Sequence, residues 1–178
     1  GEPGAYSHQA CVEMYPDMEA LPCNTFEGAV AAVKEGRAEL AMLPVENSTY
    51  GRVADIHHLL PETGLHIICE HFVRVHISLL AVPGTKLEQV EHAMSHTVLL
   101  GQCRSFLKEH SILPRTGADT AGSAKAVAED ARPEGAALAS KLAGEIYGLE
   151  SLAEGIEDNQ NNTTRFLIMS PEPQRPSG

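Results

Sequence analysis

The stretch "LHIICEHFVRVHISLLAVPG", residues 65 to 84, limits the fold more than any other part of the chain. It is β-rich over its whole length, and Ile67, Cys69, His71 and Val73 alternate against their neighbours as a strand's residues do. Strands in globular proteins seldom exceed about ten residues. The stretch must therefore bend or cross from one lobe into another. On both sides of it helical and strand patterns alternate, the order of an α/β fold. "NTFEGAVAAVKEG" predicts a helix capped by Thr25 and stopped by Gly36, and Ser7 is a candidate N-cap for a helix over "HQACVEMY". "AELAMLPVENSTYG" reads as a strand with a polar loop, and "VADIHHLL" as a helix. Beyond the long stretch, "EHAMSH" reads as a strand, "VLLGQCRSFLKEH" and "AGSAKAVAED" as helices, "GAALAS" as a strand and "KLAGEIYG" as a helix. "TTRFLIMS" is the last strand. Two α/β lobes joined by crossing segments would hold a ligand in a cleft lined by loops at strand ends. The loops in question are 4–8, 44–52, 95–103, 119–123 and 159–165.

A chain of 178 residues suffices for such lobes without a disulfide or metal. With 4% aromatic residues and no Trp, its core must rest on Ala, Val, Leu and Ile. The net charge of −11 argues against nucleic acid, which needs a basic stripe, and weakly against an anionic membrane. An anionic ligand would be held by a few local cations against that field. Cys11, Cys23, Cys69 and Cys103 form no CxxC pair, which favours a reduced, cytoplasmic setting. No apolar run reaches about 18 residues and no signal peptide is evident.

Several segments carry polar chemistry. In "PVENSTYGRV", Glu46, Asn47, Ser48 and Thr49 follow a strand and precede a helix, with Arg52 as a cation; the ordinary reading is a loop of local turn bonds. "SHTVLLGQC" sets Ser95 and His96 before Gln102 and Cys103, or is simply a capped helix with a core cysteine. His57, His58, His71 and His76 lack the HExxH or Cys/His spacing of a metal site. "GEPG" lacks the lysine of a P-loop and the three-glycine dinucleotide fingerprint. "NQNNTTRF" is the strongest segment. Asn159, Asn161 and Asn162 build a turn, then Thr163 and Thr164 offer hydroxyls beside Arg165. The ordinary reading is a polar turn before an edge strand. Against it, a guanidinium facing inward from an alternating strand needs a partner.

"GEPGAYSHQA", "PVENSTYG", "SHTVLLGQC" and "GAALASKLAGEIYGLESLAEGIEDNQNNTTRF" together resemble, in order and spacing, the catalytic domain of prephenate dehydratase. Thr164, Arg165 and Phe166 match the family's TRF motif, while Ala5, Tyr6 and Thr97 depart from its usual residues. The resemblance implies a two-lobed α/β fold similar to type II periplasmic binding proteins. Residues 1–75 with 160–178 would form one lobe and 76–159 the other. It implies conversion of prephenate to phenylpyruvate with no metal and no cofactor. Thr164 would be the catalytic donor. Arg165, Asn47, Ser95, Gln102, Glu46, Ser7, Ser48 and Phe166 would form the substrate-binding set. The family's phenylalanine-binding ACT domain is not expected in the twelve residues after Phe166. A homodimer is compatible with the family. The residues leave two rivals open: arogenate dehydratase, and a two-lobed small-anion-binding protein without chemistry.

Overall fold

The computed structural model describes residues 1–174 and divides the chain into two compact α/β units. Unit 1 holds Gly1, Tyr6–Arg74 and the described residues from Asn161 onward; unit 2 holds Glu2–Ala5 and Val75–Gln160. The long apolar stretch is thus two strands, β3 (His66–Arg74) in unit 1 and β4 (Ser78–Ala81) in unit 2. The opening Glu2–Ala5, which the sequence reading kept with the first lobe, groups with the second.

Unit 1 is built on an antiparallel sheet whose order is β2-β1-β9-β3, with β1 at Ala41–Asn47, β2 at Gly51–Arg52 and β9 at Thr163–Ser170. The last strand is therefore interior, not an edge. Its alternation sends residues to two different layers. Leu167 and Met169 pack with Val30 and Val33 of helix α2 (Phe26–Lys34), with Leu43 and Val45 of β1, and with Ile56 of α3 (Ala54–Leu59). Phe166 packs on the other face with Ala10 of α1 (Tyr6–Met14) and Val73. Each such large apolar side chain contributes about 1.5–3 kcal/mol on burial. The Thr25 hydroxyl accepts from the Gly28 amide at 2.9 Å, and α2 ends before Gly36, whose φ is +74°. Ser7 is not a cap. It lies one residue inside α1.

A bulge in β1 settles which side chains meet. Pro44 pairs with Phe166, but the next partner of β9 is Glu46, opposite Arg165, so Val45 is the extra residue. Because side chains alternate with period two, the bulge sets Glu46 beside Arg165 and Asn47 beside Thr164. An unbulged strand would put the carboxylate beside the threonine instead.

Unit 2 has a five-stranded sheet, order β6-β5-β7-β4-β8. β5 (His92–Ser95) runs parallel to β6 (Leu113–Thr116) and β7 (Gly135–Ala139), while β4 is antiparallel to β7 and β8 (Glu150–Ala153). Every residue of β7 is buried, and Ala137 and Ala139 pack on Ala124 and Val127 of α6 (Thr120–Asp130). An alanine core of this kind suits a chain poor in aromatics. The helix expected over residues 98–110 is two, α4 (Thr97–Gln102) and α5 (Arg104–Glu109), separated where Cys103 adopts φ −113°, ψ 20°. Glu2–Ala5 rests on α7 (Lys141–Tyr147): Ser140 donates to the Gly4 carbonyl at 2.6 Å and Tyr147 to that of Pro3 at 2.8 Å. Gly4 has φ +90°, and a Cβ there would stand 2.8 Å from the Ala143 backbone, so no larger residue fits.

Candidate active site

The Asn47 carboxamide is the hub of unit 1. Its Oδ1 accepts from the amides of Thr49 and Tyr50 at 2.9 and 3.1 Å, closing the turn between β1 and β2. That fixes which end of the amide is oxygen. Its Nδ2 then donates to Asn162 Oδ1 at 2.7 Å and to Thr164 Oγ1 at 3.0 Å. Both hydrogens and both lone pairs of Asn47 are thus in use. A hydroxyl that accepts one bond in this way still has its own proton to give. Thr164 is β-branched, so its oxygen is also held by a stiff χ1. Thr163 faces the other layer, where its hydroxyl donates to the Asn161 carbonyl at 3.2 Å.

Arg165 has partners other than those expected from the sequence. Its Nε and NH2 both reach Glu70 Oε2, at 2.7 and 2.6 Å, and NH1 lies 3.4 Å from Glu46 Oε1. One guanidinium therefore bridges three neighbouring strands, β3, β9 and β1. The hydrogen bond to Glu70, then its charge and that of Glu46, raise the Arg165 pKa above its ordinary value, so it stays charged. By strand parity it shares the Leu167 layer, opposite Thr164. Glu46 accordingly pairs with an arginine of the neighbouring strand. Ser48 accepts from the Thr163 amide at 2.9 Å and donates to the Asn161 carbonyl at 3.1 Å, latching the β1–β2 turn to the start of β9. Phe166 is 1% exposed, a core residue rather than a surface for substrate. Ser7 stands half-buried on α1.

In unit 2, Ser95 ends β5 fully buried and donates to the Leu138 carbonyl at 2.7 Å, tying β5 to β7. Gln102 ends α4, is 8% exposed, and its Oε1 is buried with no hydrogen-bond partner among the described residues. Such an unpaired acceptor costs about 1–3 kcal/mol, so it is conspicuous in a folded chain. Cys103 beside it is fully buried. Burial, with Glu157 and Asp158 nearby, pushes its thiol up to about 12, the reverse of an activated nucleophile. Glu157 is itself buried and accepts from the Ile77 amide at 2.9 Å, with His76 Nδ1 at 2.9 Å on its other oxygen. Among the described residues, no group of three or more His, Cys, Asp and Glu side chains is placed to hold a metal ion. Also among them, no helix is long and apolar enough to cross a membrane.

Three participants escaped the sequence reading. Asn162 was seen only as a turn residue, although a carboxamide two places before a hydroxyl, at the entry to an alternating strand, was a signal. Glu70 and Glu157 had no local signal, because their partners lie 95 and 81 residues away in sequence.

Comparison with known proteins accords with this fold. The family model for prephenate dehydratase matches residues 1–174. A bifunctional N-acyl-homoserine lactone acylase/prephenate dehydratase of Komagataeibacter europaeus is 50% identical over 97% of this chain and 62% of its own length. The arogenate dehydratase/prephenate dehydratase 1 of Arabidopsis thaliana is 41% identical over 99% of this chain and 45% of its own. The crystal structure of prephenate dehydratase from Arthrobacter aurescens in complex with L-Phe superposes with a TM-score of 0.90 at 32% identity, covering all of this chain and 61% of that one. The chain spans less than two thirds of these relatives. With the family model matched along nearly its whole length, the chain belongs to the prephenate dehydratase family.

Proposed function

We propose that this chain catalyses the decarboxylating dehydration of prephenate to phenylpyruvate, which would make it a carbon–oxygen lyase. The observation that carries the reading is the Thr164 hydroxyl, held as an acceptor by Asn47 with its own proton left to donate. In the reaction the bond from the ring to its carboxylate breaks, and the electron pair enters the ring as carbon dioxide leaves. The ring C4–O bond breaks in turn, and the departing oxygen takes a proton relayed through the Thr164 hydroxyl, which solvent water replenishes, and leaves as water. The ring becomes aromatic, so the protein has little covalent work to do. It must hold the substrate and stabilise charge growing on the departing oxygen. Thr164 is assigned that second task, and its hydrogen bond strengthens as the C4–O bond lengthens.

No metal or organic cofactor has a part in this scheme. The four cysteines are free thiols, which supports a reducing, cytoplasmic setting. Arogenate differs from prephenate by an amino group on the side chain, away from the reacting ring, and relatives named for that substrate make it the second reading. Incubating the purified chain with each substrate and measuring phenylpyruvate and phenylalanine by mass spectrometry tests both. Phenylpyruvate formed from prephenate faster than phenylalanine from arogenate is expected. The opposite order transfers the assignment to arogenate, and no product from either leaves a binding protein.

A further inference from the structure

Asn162 is 1% exposed, among the largest fully buried side chains of the chain. A buried carboxamide costs free energy unless bonded, and the Asn162 oxygen accepts from Asn47 Nδ2 at 2.7 Å, shorter than the 3.0 Å bond from that nitrogen to Thr164. The Asn47 amide is thus pinned at three points. Thr49 and Tyr50 hold its oxygen, and Asn162 holds one hydrogen; the remaining hydrogen has a single direction left, toward Thr164 Oγ1. We infer that Asn162 is a positioning residue that aims the Thr164 proton by way of Asn47, an inference that rests on the function proposed above.

Removing the Asn162 oxygen leaves the Thr164 hydroxyl in place and the Asn47 oxygen held by Thr49 and Tyr50, but lets the Asn47 nitrogen swing about that oxygen. The Thr164 proton then samples several rotor positions instead of one. The donor survives and its aim does not, so the loss is smaller than from deleting the hydroxyl.

The test is steady-state turnover of prephenate by Asn162→Ala and Asn162→Asp, each made in the parent chain and in Thr164→Ala, with thermal melts. In the parent, Asn162→Ala lowers kcat about tenfold with KM within about twofold, because aim matters mainly in the transition state. Asn162→Asp keeps shape and acceptor and stays within about threefold of the parent. In Thr164→Ala, where no hydroxyl remains to aim, Asn162→Ala changes kcat by less than about twofold. An equal loss in both backgrounds, or an Asp variant as poor as Ala, overturns the inference. Should Asn162→Ala fail to fold, Asn162→Ser replaces it. That variant removes the carboxamide acceptor but leaves a small polar side chain, so its loss must also vanish in Thr164→Ala; a loss that persists is equally fatal. A parent chain inactive on prephenate and arogenate overturns the proposed function and this inference together, whereas an active parent with additive losses overturns this inference alone.

Discussion

The Asn47 hub in unit 1 and the Gln102–Cys103 corner in unit 2 answer the cost of buried polarity in opposite ways. At the hub every hydrogen and lone pair of Asn47 is matched, and what remains over is one proton on Thr164. At the corner an amide oxygen is buried with no partner among the described residues, next to a thiol that burial keeps protonated. A matched network is rigid and positions its neighbours, whereas an unmatched acceptor carries binding capacity that the folded chain itself does not use. The first region should therefore act on rate and the second on affinity.

The largest expected effect tests the hub. Thr164→Ala should lower kcat by about 10²–10⁴ while KM changes little, the usual range for a positioned proton donor. Thr164→Ser keeps the hydroxyl and should retain most activity. Thr164→Val keeps the shape and should fail as Ala does. Kinetics on variants with unchanged melting temperature decide it, and an active Val variant would remove the hydroxyl from the chemistry.

Next comes the corner. Gln102→Met keeps length and removes the orphaned oxygen, so the free protein should gain up to about 1 kcal/mol of stability, near the lower cost of such an atom. If that oxygen accepts a hydrogen bond from substrate, KM should rise about 2- to 12-fold, the equivalent of an uncharged bond of about 0.5–1.5 kcal/mol. The two readouts move in opposite directions. A melt that rises with KM unchanged would make Gln102 a structural flaw rather than a ligand contact.

How much of this the sequence carried can be judged residue by residue. The Thr25 cap, the Gly36 stop and the strand over "TTRFLIMS" rest on local backbone chemistry, and each is present as read. β6 was missed because "LPRT" contains a proline and is exposed throughout, so it has no apolar alternation to detect. The break at Cys103 was missed because nothing in "GQCRS" stops a helix. Arg165 is the instructive case. Its need for a partner was legible, but the identity of that partner depends on the β1 bulge and on β3 lying alongside, which only the register reveals. Ser95, Ser48 and Phe166 likewise had the right residue type for a site, and tertiary contacts use them to hold the sheets.

Arg165 therefore yields a smaller effect than a substrate clamp would. Its carboxylate partners are about half exposed, and exposed pairs contribute little to stability. Arg165→Lys keeps the charge but cannot span Glu70 and Glu46 together. A fall of only a few degrees in melting temperature is expected, with kcat/KM within about threefold of the parent. A tenfold or greater loss of kcat/KM with an unchanged melt would return Arg165 to the substrate.

The smallest effect concerns Cys103, and it appears only at high pH. Its folded pKa of about 12 lies above the ordinary thiol value near 9. Between those limits the folded chain keeps a proton that the unfolded chain has released, so stability falls as pH rises through that window; below about pH 9 the contribution is fully present. Cys103→Ala leaves a small cavity and should be less stable at neutral pH by about 1 kcal/mol, but it lacks this titration. The parent's advantage over the variant should therefore shrink above about pH 9 and reverse before about pH 12 in denaturant melts. A gap that stays constant would mean that the thiolate is tolerated in place. The same burial predicts that iodoacetamide at neutral pH modifies the exposed Cys69 and spares Cys103 in the native chain. Prompt alkylation of Cys103 would show that the corner opens to solvent, and the unmatched Gln102 oxygen beside it would then have water for a partner.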